Sequence, residues 1–242
     1  MTRAVLFDFG DTLVTGRVDI RGFRTKTLQL LRRRGLIRKQ DHDRATTEVI
    51  GKLRRLRQAN REMTFEEVNS EILRRVGLRP GDELLDFLHR LYYSCYSWAP
   101  MYGALQILEE LQLRYRLGIV SNTISRIPLI ALEKLQLSDL FQVVVLSRDL
   151  GRRKPDPLPF NHTLTQLGVP PTEAVFVGND LHADVLGAKK VGMRTIWLTA
   201  RVAPGSREAD ATVERLIEVP PAIEEMSRAR GESASSNPSY AW

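Results

Sequence analysis

The sequence predicts an α/β protein whose parallel sheet is interrupted near its start by a long helical segment. The first observation is the short apolar run Ala4–Phe7, which ends at Asp8 and has the length of a buried strand rather than of a helix. The second is the alternation of strand-length apolar runs with helical segments from Pro100 onward, because strands separated by helices imply right-handed crossovers and a parallel sheet. The third is the helical periodicity of the residues between them, about 15 to 98.

The composition fits a folded globular protein with a basic balance of charge. Hydrophobic residues make up 43% of the 242-residue chain, which is enough for a substantial core. Lys and Arg number 36 against 29 Asp and Glu, so the formal net charge is +7, which favours anionic ligands. The arginines are spread over helix-like segments, and no recognised nucleic-acid-binding motif accompanies them. We therefore interpret them as solvated helix faces rather than as a nucleic-acid surface.

The chain shows no signal for secretion, for a membrane span or for cysteine chemistry. The apolar run before Asp8 is too short for a signal peptide, and no run has the length of a membrane-spanning helix. Cys95 is the single cysteine, which excludes an intrachain disulfide and a cysteine metal site. We expect a cytoplasmic protein without a membrane partner, and the sequence does not indicate its oligomeric state.

The helical segment contains about four helices. Thr64 to Glu67 has the form of a capping box, which starts a helix, and Gly77 fits the end of that helix. Pro80–Gly81–Asp82 predicts a turn before the last helix. Three apolar stripes at helical spacing, to which we assign a core role only, are Ala45, Val49, Leu53 and Leu56; Val68, Ile72, Leu73 and Val76; and Leu84, Leu85, Leu88 and Leu91.

Beyond this segment, strand-length runs alternate with helices. The predicted strands are 117–120, 143–146, 174–177, 195–198 and a short last one at 211–213, and the predicted helices cover about 103–113, 129–137, 158–167 and 183–191. The Ser-rich end of the chain lacks a pattern and predicts disorder. The predicted organisation is a core domain of residues 1–14 and 99–226, an inserted helical domain of residues 15–98, and a disordered tail of residues 227–242.

Polar residues follow three of the predicted strands: Asp8, Ser121–Asn122 and Asn179–Asp180. Lys154 lies in a loop at the same edge. The C-terminal ends of parallel strands face one way, so these groups can converge. Each has a use in phosphoryl transfer: a carboxylate can attack phosphorus, separated carboxylates can hold Mg²⁺, hydroxyl and amide groups can bind phosphate oxygens, and a lysine supplies positive charge. Each group alone is common at strand and helix ends, but together and in this order they favour a phosphoryl-transfer site.

Four stretches carry a resemblance to a known family. They are Asp8-Phe9-Gly10-Asp11-Thr12-Leu13, Val120-Ser121-Asn122, Lys154-Pro155-Asp156-Pro157, and Gly178-Asn179-Asp180-Leu181-His182-Ala183-Asp184 running into Gly187-Ala188. In this order they resemble the haloacid dehalogenase superfamily of hydrolases, in the subgroup with a helical cap inserted after the first stretch. The resemblance covers about residues 4 to 220. It implies a Rossmann-like core, an α-helical cap domain at 15–98, dependence on Mg²⁺ and, usually, hydrolysis of a phosphate monoester.

The resemblance also implies a role for each matched residue. Asp8 is the nucleophile, and Lys154 neutralises both Asp8 and the phosphate. The implied catalytic residues are Asp8, Asp11 and Lys154; the implied substrate-binding residues are Thr12, Ser121, Asn122 and Lys154; and the implied metal ligands are Asp8, the carbonyl of Gly10, Asp180 and Asp184.

Two departures from the family pattern concern the proton and the metal. Family phosphatases usually place a second Asp two residues after the nucleophile, where it protonates the leaving group, but here that position is Gly10 and Asp11 follows it. A shift of one residue re-aims a side chain in an extended segment, so we expect Asp11 to replace the missing acid only in part. A general acid contributes roughly 10²–10⁴-fold in rate. Asn179 stands where many members carry the first Asp of the last stretch, and we expect Asp180 to take its role.

These features favour a cytoplasmic, Mg²⁺-dependent phosphatase acting on a small phosphorylated metabolite. A dehalogenase or a phosphonatase would also lack the second Asp, but Asp180 and Asp184 indicate that a metal is kept, which a dehalogenase does not need. A second alternative, favoured by Gly10 and the basic charge, is a catalytically weak homologue that binds a phosphorylated ligand or a protein partner. The substrate is not identified, because in this family the cap selects it and the insert shows only apolar stripes and arginines.

Overall fold

The computed structural model describes residues 1–33, 37–199 and 207–235, and it confirms the α/β class with a parallel sheet. In the described part of the chain the strands are β1 (Ala4–Phe7), β2 (Val14–Val18), β3 (Tyr96–Pro100), β4 (Arg116–Ser121), β5 (Val143–Leu146), β6 (Ala174–Gly178), β7 (Arg194–Leu198) and β8 (Ala211–Val213). Six of them form one sheet in the order β5-β4-β1-β6-β7-β8, with every neighbouring pair parallel. Each strand predicted from an apolar run is present within one residue at either end.

The helices alternate with the strands of this sheet, as the sequence predicts. They are α1 (Ile20–Arg33), α2 (Lys39–Gln58), α3 (Phe65–Arg75), α4 (Asp82–Ser94), α5 (Ala104–Gln112), α6 (Ile127–Lys134), α7 (Ser147–Leu150), α8 (Pro157–Leu167), α9 (Gly187–Lys190) and α10 (Val219–Ser235). The helix predicted over 183–191 differs in form: a π-helical turn covers Leu181–Leu186, and α9 adds one α-helical turn after it.

The C-terminal helix is longer than the sequence pattern indicates. Val219 and Ile223 are fully buried against the sheet and anchor the start of α10. The helix continues to Ser235, so residues 227–235 are helical rather than part of the predicted disordered tail, and residues 236–242 lie outside the described residues. A helix fixed at one end by packing can extend through weakly patterned residues, because propagation costs far less than nucleation.

The position of β1 determines where the polar strand ends meet. It pairs in parallel with β4 on one side and β6 on the other, with Phe7 opposite Ile119 and Val177. The chain therefore passes from β1 to opposite halves of the sheet, and the carboxyl ends of β1, β4 and β6 flank one crevice. Open α/β sheets bind ligands at such a switch point.

Both faces of β1 are covered, which explains its uninterrupted apolar sequence. Val5 and Phe7 face a core that includes helices α5 and α10, whereas Ala4 and Leu6 face the side covered by α8 and α9. All four residues are fully buried. A strand buried on both faces reads as a continuous apolar run instead of an alternating one.

A two-stranded ribbon joins the helical insert to the core, and the sequence analysis did not predict it. β2 and β3 pair antiparallel, with Val14 opposite Pro100 and Val18 opposite Tyr96. They occupy both ends of the segment predicted as helical from 15 to 98, so its helices begin at Ile20 and end at Ser94. Gly16 allows the close packing of this ribbon, since a Cβ atom there would lie 2.4 Å from the Tyr96 hydroxyl.

The insert (residues 19–95) contains helices α1–α4 and its own apolar clusters. Phe23, Phe65 and Leu88 belong to one cluster, and Val49 and Val68 to a second. The predicted capping box is present, because the hydroxyl of Thr64 accepts the N–H of Glu67 while the Glu67 carboxylate accepts the N–H of Thr64. No helix in the described ranges combines the length and apolarity that crossing a bilayer requires.

Candidate active site

The crevice at the carboxyl ends of β1, β4 and β6 is a cavity of about 330 Å³. It brings together most of the residues that the sequence predicts for the site, although they lie up to 176 positions apart in the chain. The predicted site residues that line it are Asp8, Gly10, Asp11, Ser121, Asn122, Lys154, Asp180 and Asp184.

The side chain of Lys154 joins the two most deeply placed carboxylates. Its Nζ lies 2.6 Å from Asp8 Oδ1 and 2.7 Å from Asp184 Oδ1. The Lys154 side chain is 1% exposed and that of Asp184 is 2% exposed, so the three charges form a nearly dry network. Since the network holds two carboxylates and one ammonium, it retains a net negative charge when all three groups are ionised.

Burial and the neighbouring charges shift the pKa values of this network. Burial raises the pKa of Asp8 to about 6, and this effect exceeds the lowering caused by Lys154. Burial alone would lower the pKa of Lys154, but Asp184 and Asp8 together raise it above its ordinary value. Lys154 therefore stays charged at neutral pH. The raised pKa of Asp8 means that this carboxyl group loses its proton near pH 6 as the pH rises.

The π-helical turn after β6 positions Asp184 and Asp180. Asp184 Oδ2 accepts the backbone N–H of Asp180 at 3.0 Å and packs so closely on Gly178 that a Cβ there would lie 2.4 Å away. Asp180 Oδ1 accepts the N–H groups of His182 and Ala183 and caps the turn. Within the described residues its Oδ2 has no such partner and is available to a ligand in the cavity.

Asn122 holds the backbone of Lys154. Its Oδ1 accepts the N–H of Lys154 at 2.8 Å, and its Nδ2 donates to the carbonyl of Lys154 at 3.0 Å. The amide of Asn122, predicted to bind the transferring group, is thus committed to placing the lysine. Ser121, at the end of β4, is 5% exposed and lines the cavity beside it.

The loop after β1 corrects one predicted role. Thr12 is fully buried and is absent from the cavity wall, and its hydroxyl donates to Asn179 Oδ1 at 3.4 Å. It supports Asn179 instead of contacting substrate with its side chain. The reason is the turn itself: the N–H groups of Leu13 and Val14 both donate to the carbonyl of Phe9, which folds Thr12 inward.

Gly10 and Asp11 occupy the region where the leaving group's proton donor is expected. Asp11 has a positive φ of 54°, and its Oδ1 accepts the hydroxyl of Thr15 at 3.1 Å. At Gly10 no atom lies within 4 Å of the position that a Cβ would occupy. A side chain at position 10 would therefore enter open space at the mouth of the cavity.

The cavity wall also contains residues that were not predicted, among them two tyrosines and an arginine. Tyr92 and Tyr96 line the cavity from the insert and from β3. Arg153 lines it from the loop before Lys154. No local pattern marks these residues, because their exposure to the cavity depends on how the insert docks on the core.

The oxygen donors of the cavity suit Mg²⁺. Asp8 and Asp180 offer carboxylates from two neighbouring strand ends, and Asn179 and the Gly10 carbonyl add neutral oxygens to the same wall. Among the described residues no three His, Cys, Asp or Glu side chains are clustered as a ready-made metal site. In proteins, Mg²⁺ commonly binds one or two carboxylates, keeps several waters and takes oxygens from a substrate phosphate.

Comparison with known proteins gives the family. The family model described as haloacid dehalogenase-like hydrolase matches residues 5–198. The chain belongs to the haloacid dehalogenase-like hydrolase family, and its α/β fold agrees with that membership.

The similar proteins include phosphatases by sequence and a dehalogenase by fold. A phosphoglycolate phosphatase of Aquifex aeolicus is 30% identical over 215 residues, which cover 88% of this chain and 92% of that protein. A ribulose-1,5-bisphosphate 5-phosphatase of Halopiger xanaduensis is 38% identical over 139 residues, 55% of this chain, and the match spans about half (54%) of that relative's length. A 2-haloacid dehalogenase structure from Pseudomonas syringae pv. Tomato DC3000 has a TM-score of 0.71 at 22% identity, covering 93% of this chain and all of that one, which shows the shared fold.

The raised pKa of Asp8 predicts a pH-dependent contribution to stability in metal-free protein. An unfolded Asp ionises near pH 3.8 and the folded Asp8 near pH 6, so the folded state binds more protons between these values, and the free energy of unfolding falls as pH rises through them. Asp8→Asn removes the titrating carboxyl group and therefore this fall in the free energy of unfolding. We expect the variant to gain stability relative to wild type between about pH 4 and 6, by up to about 3 kcal/mol, and to show a constant difference above that range.

Urea denaturation in EDTA at half-unit pH steps measures this difference. Asp149→Asn, which changes an exposed carboxylate on α7, is the control and should show no such step. A difference between Asp8→Asn and wild type that does not change from pH 4 to pH 7 would contradict the raised pKa.

Proposed function

We propose that the protein is a Mg²⁺-dependent phosphatase that hydrolyses a small phosphate monoester through an aspartyl-phosphate at Asp8. The observation that carries this proposal is the buried network in which Lys154 holds Asp8 beside an open cavity. Curated relatives named as phosphatases, with matches over most of both chains, support the same reaction class. The helical insert would act as the cap over this site.

The charge of the cavity supports a role for a divalent cation. Its wall carries four carboxylates, those of Asp8, Asp11, Asp180 and Asp184, against the cations Arg153 and Lys154 in the described residues. Such a cavity repels a phosphate dianion until positive charge is added. Bound Mg²⁺ would supply that charge and polarise the phosphoryl oxygens, with Asp8, the Gly10 carbonyl and Asp180 as its protein ligands.

In the first step, a carboxylate oxygen of Asp8 attacks phosphorus and the bond from phosphorus to the ester oxygen breaks. Lys154 favours the ionised form of Asp8 and orients it, and Ser121 in the cavity wall would donate its hydroxyl to a phosphoryl oxygen. The ester oxygen leaves as an alcohol if a proton is supplied and as an alkoxide or phenoxide if it is not. In the second step, water attacks the phosphoryl group, the Asp8–phosphorus bond breaks, and phosphate leaves.

The proton donor is the weakest part of this site. Gly10 has no side chain, and the Asp11 carboxylate is held by Thr15. We infer that Asp11 protonates the leaving group only in part. Alcohols with a high pKa need that proton in the transition state, whereas a phenol with a low pKa leaves without it.

A dehalogenase function is the alternative that Gly10 favours, since such enzymes lack the second Asp. There Asp8 would attack carbon and release halide, and no metal would be required. The four carboxylates of the cavity oppose this alternative, because the substrate would be a carboxylate with no added cation to offset its charge.

Asp8→Asn tests the proposal. The variant keeps the size of the side chain but replaces the nucleophilic oxygens, and we expect kcat for p-nitrophenyl phosphate to fall by at least about 10³-fold. Mass spectrometry must show that the asparagine has not deamidated, and circular dichroism that the fold is retained. Wild-type turnover in such a verified sample would overturn the mechanism.

The variants Asp180→Asn and Asp184→Asn test whether Asp180 binds the metal and whether Asp184 instead holds Lys154 in place. Asp180→Asn retains an oxygen that can cap the π-helical turn but loses the charge facing the cavity, so we expect the Mg²⁺ concentration for half-maximal activity to rise by about tenfold or more. Asp184→Asn removes a partner of Lys154, so it should lower kcat and stability with a smaller effect on Mg²⁺. Mg²⁺ titrations of activity measure both effects, and the reverse order would exchange the two roles.

Gly10→Asp tests the missing general acid. The open space at position 10 accepts the side chain, and we expect hydrolysis of alkyl phosphates to accelerate by about tenfold or more, a part of the roughly 10²–10⁴-fold that general acids contribute. Asp11→Ala should slow alkyl phosphates and leave p-nitrophenyl phosphate unchanged. Rates across phosphate esters of graded leaving-group pKa measure both effects. A flat dependence with fast alkyl hydrolysis in wild type would mean that another residue donates the proton.

A further inference from the structure

Arg153 is a charged residue of the cavity wall that the catalytic steps do not use. It directly precedes Lys154, and its side chain is 21% exposed. Its backbone N–H donates to the carbonyl of Asn60 at 3.0 Å, and the N–H of Glu62 donates to the carbonyl of Gly151 at 3.0 Å. These two bonds tie the loop that carries Arg153 to the insert, so the base of this side chain is fixed at the junction of insert and core.

The guanidinium of Arg153 shares a buried carboxylate with a second arginine. The side chain of Glu62 is 0% exposed, and its Oε1 lies 3.0 Å from Arg57 Nε while its Oε2 lies 3.3 Å from Arg153 Nη1. The hydroxyl of Ser147 lies 3.4 Å from Oε2 and 3.1 Å from the carbonyl of Thr123, so its single hydrogen is shared between these two acceptors. One carboxylate therefore faces two guanidinium groups, and the cluster carries one excess positive charge.

The arrangement directs that excess charge toward the cavity. Arg153 lines the cavity wall and Arg57 does not. Within the described part of the chain, Arg153 forms its hydrogen bond and ion pair through Nη1. Asp180 in the same cavity wall also attracts its charge, but no hydrogen bond or ion pair joins the two, so the other edge of the planar guanidinium is left for a ligand. The other cation of the wall, Lys154, is already placed between Asp8 and Asp184.

We infer that Arg153 forms a second anion subsite and that the preferred substrate carries another anionic group, a carboxylate or a second phosphate, besides the phosphoryl group that is cleaved. The planar guanidinium matches both groups, because each presents two oxygens to a pair of parallel N–H donors. Arg57 still balances the negative charge of Glu62, and Ser147 still contacts its carboxylate, when the remaining N–H groups of Arg153 bind the substrate. This inference rests on the proposed phosphatase function.

Three esters with the same two-carbon spacing test the subsite: 2-phosphoglycolate, 1,2-ethanediol bisphosphate and 2-hydroxyethyl phosphate, which differ only in whether the far group is a carboxylate, a phosphate or a neutral hydroxyl. The quantity measured is the ratio of kcat/KM for each anionic ester to that for the hydroxyl ester. A charge-assisted contact changes affinity by about 10- to 100-fold, so Arg153→Gln should lower this ratio by about that factor. Arg153→Lys, which keeps the charge but not the fork, should lower it less.

Arg152→Gln is the matched control, because Arg152 precedes Arg153 in the same loop and pairs with Asp156 but does not line the cavity. We expect its ratio to stay within about twofold of wild type. An equal loss for all three esters in Arg153→Gln, or the same change of ratio in both glutamine variants, would show that Arg153 does not bind the far anionic group and would overturn the subsite. The anionic ester with the larger change identifies which of the two groups the subsite prefers.

Isothermal titration with the same esters separates this inference from the proposed function. If wild type hydrolyses none of the esters, the phosphatase proposal fails, but the binding constants still decide on the subsite. Tighter binding of 2-phosphoglycolate or the bisphosphate than of 2-hydroxyethyl phosphate, lost in Arg153→Gln and kept in Arg152→Gln, supports it. Equal binding of all three esters by wild type overturns it.

Discussion

A single buried ammonium group holds the catalytic end of the sheet together. Lys154 Nζ lies within hydrogen-bond distance of Asp8 at the end of β1 and of Asp184 in the turn after β6, which are otherwise two carboxylates converging on one dry site. Without the lysine their repulsion would be strong at this depth, and breaking such a buried pair typically costs about 3–5 kcal/mol. The double hydrogen bond from Asn122 fixes the backbone of the lysine, so β4 also contributes to the same network.

Because this network fixes the buried charges at the base of the site, the rest of the cavity wall can stay open to a ligand. Asp180 faces the cavity beside Asn179, while the loop after β1 leaves unfilled space at Gly10. The fixed charges at the base are negative overall, so the site gains affinity for a phosphate only with added positive charge. In the proposed mechanism the core provides the catalytic geometry, whereas the insert contributes Tyr92 to the cavity wall and, through Glu62, the placement of Arg153.

The sequence predicted the parts of the fold that local patterns determine. Buried parallel strands such as β1 and β6 are continuous apolar runs, the capping box at Thr64 is a four-residue signal, and the polar residues after strands follow from parallel topology. The ribbon of β2 and β3 was missed because it pairs residues about 80 positions apart, which no local periodicity reports.

The missed and corrected site residues have the same explanation. Thr12 matched a motif but is turned inward by hydrogen bonds to Phe9, and the cavity position of Arg153 depends on a contact with Glu62 from a different part of the chain. A motif specifies which residues are present at a site, but the direction of each side chain depends on turn geometry and on packing between distant segments.

The most direct measurement of the central claim is chemical trapping of the covalent intermediate. An acyl-phosphate is reduced by borohydride to an alcohol, which converts the aspartate that carried it to homoserine. After rapid quenching of wild-type protein during turnover of p-nitrophenyl phosphate with Mg²⁺, we predict homoserine at position 8, dependent on substrate, in the peptide that contains residues 4–16. Release of phosphate without modification of Asp8, or with the modification at another carboxylate, would contradict the account.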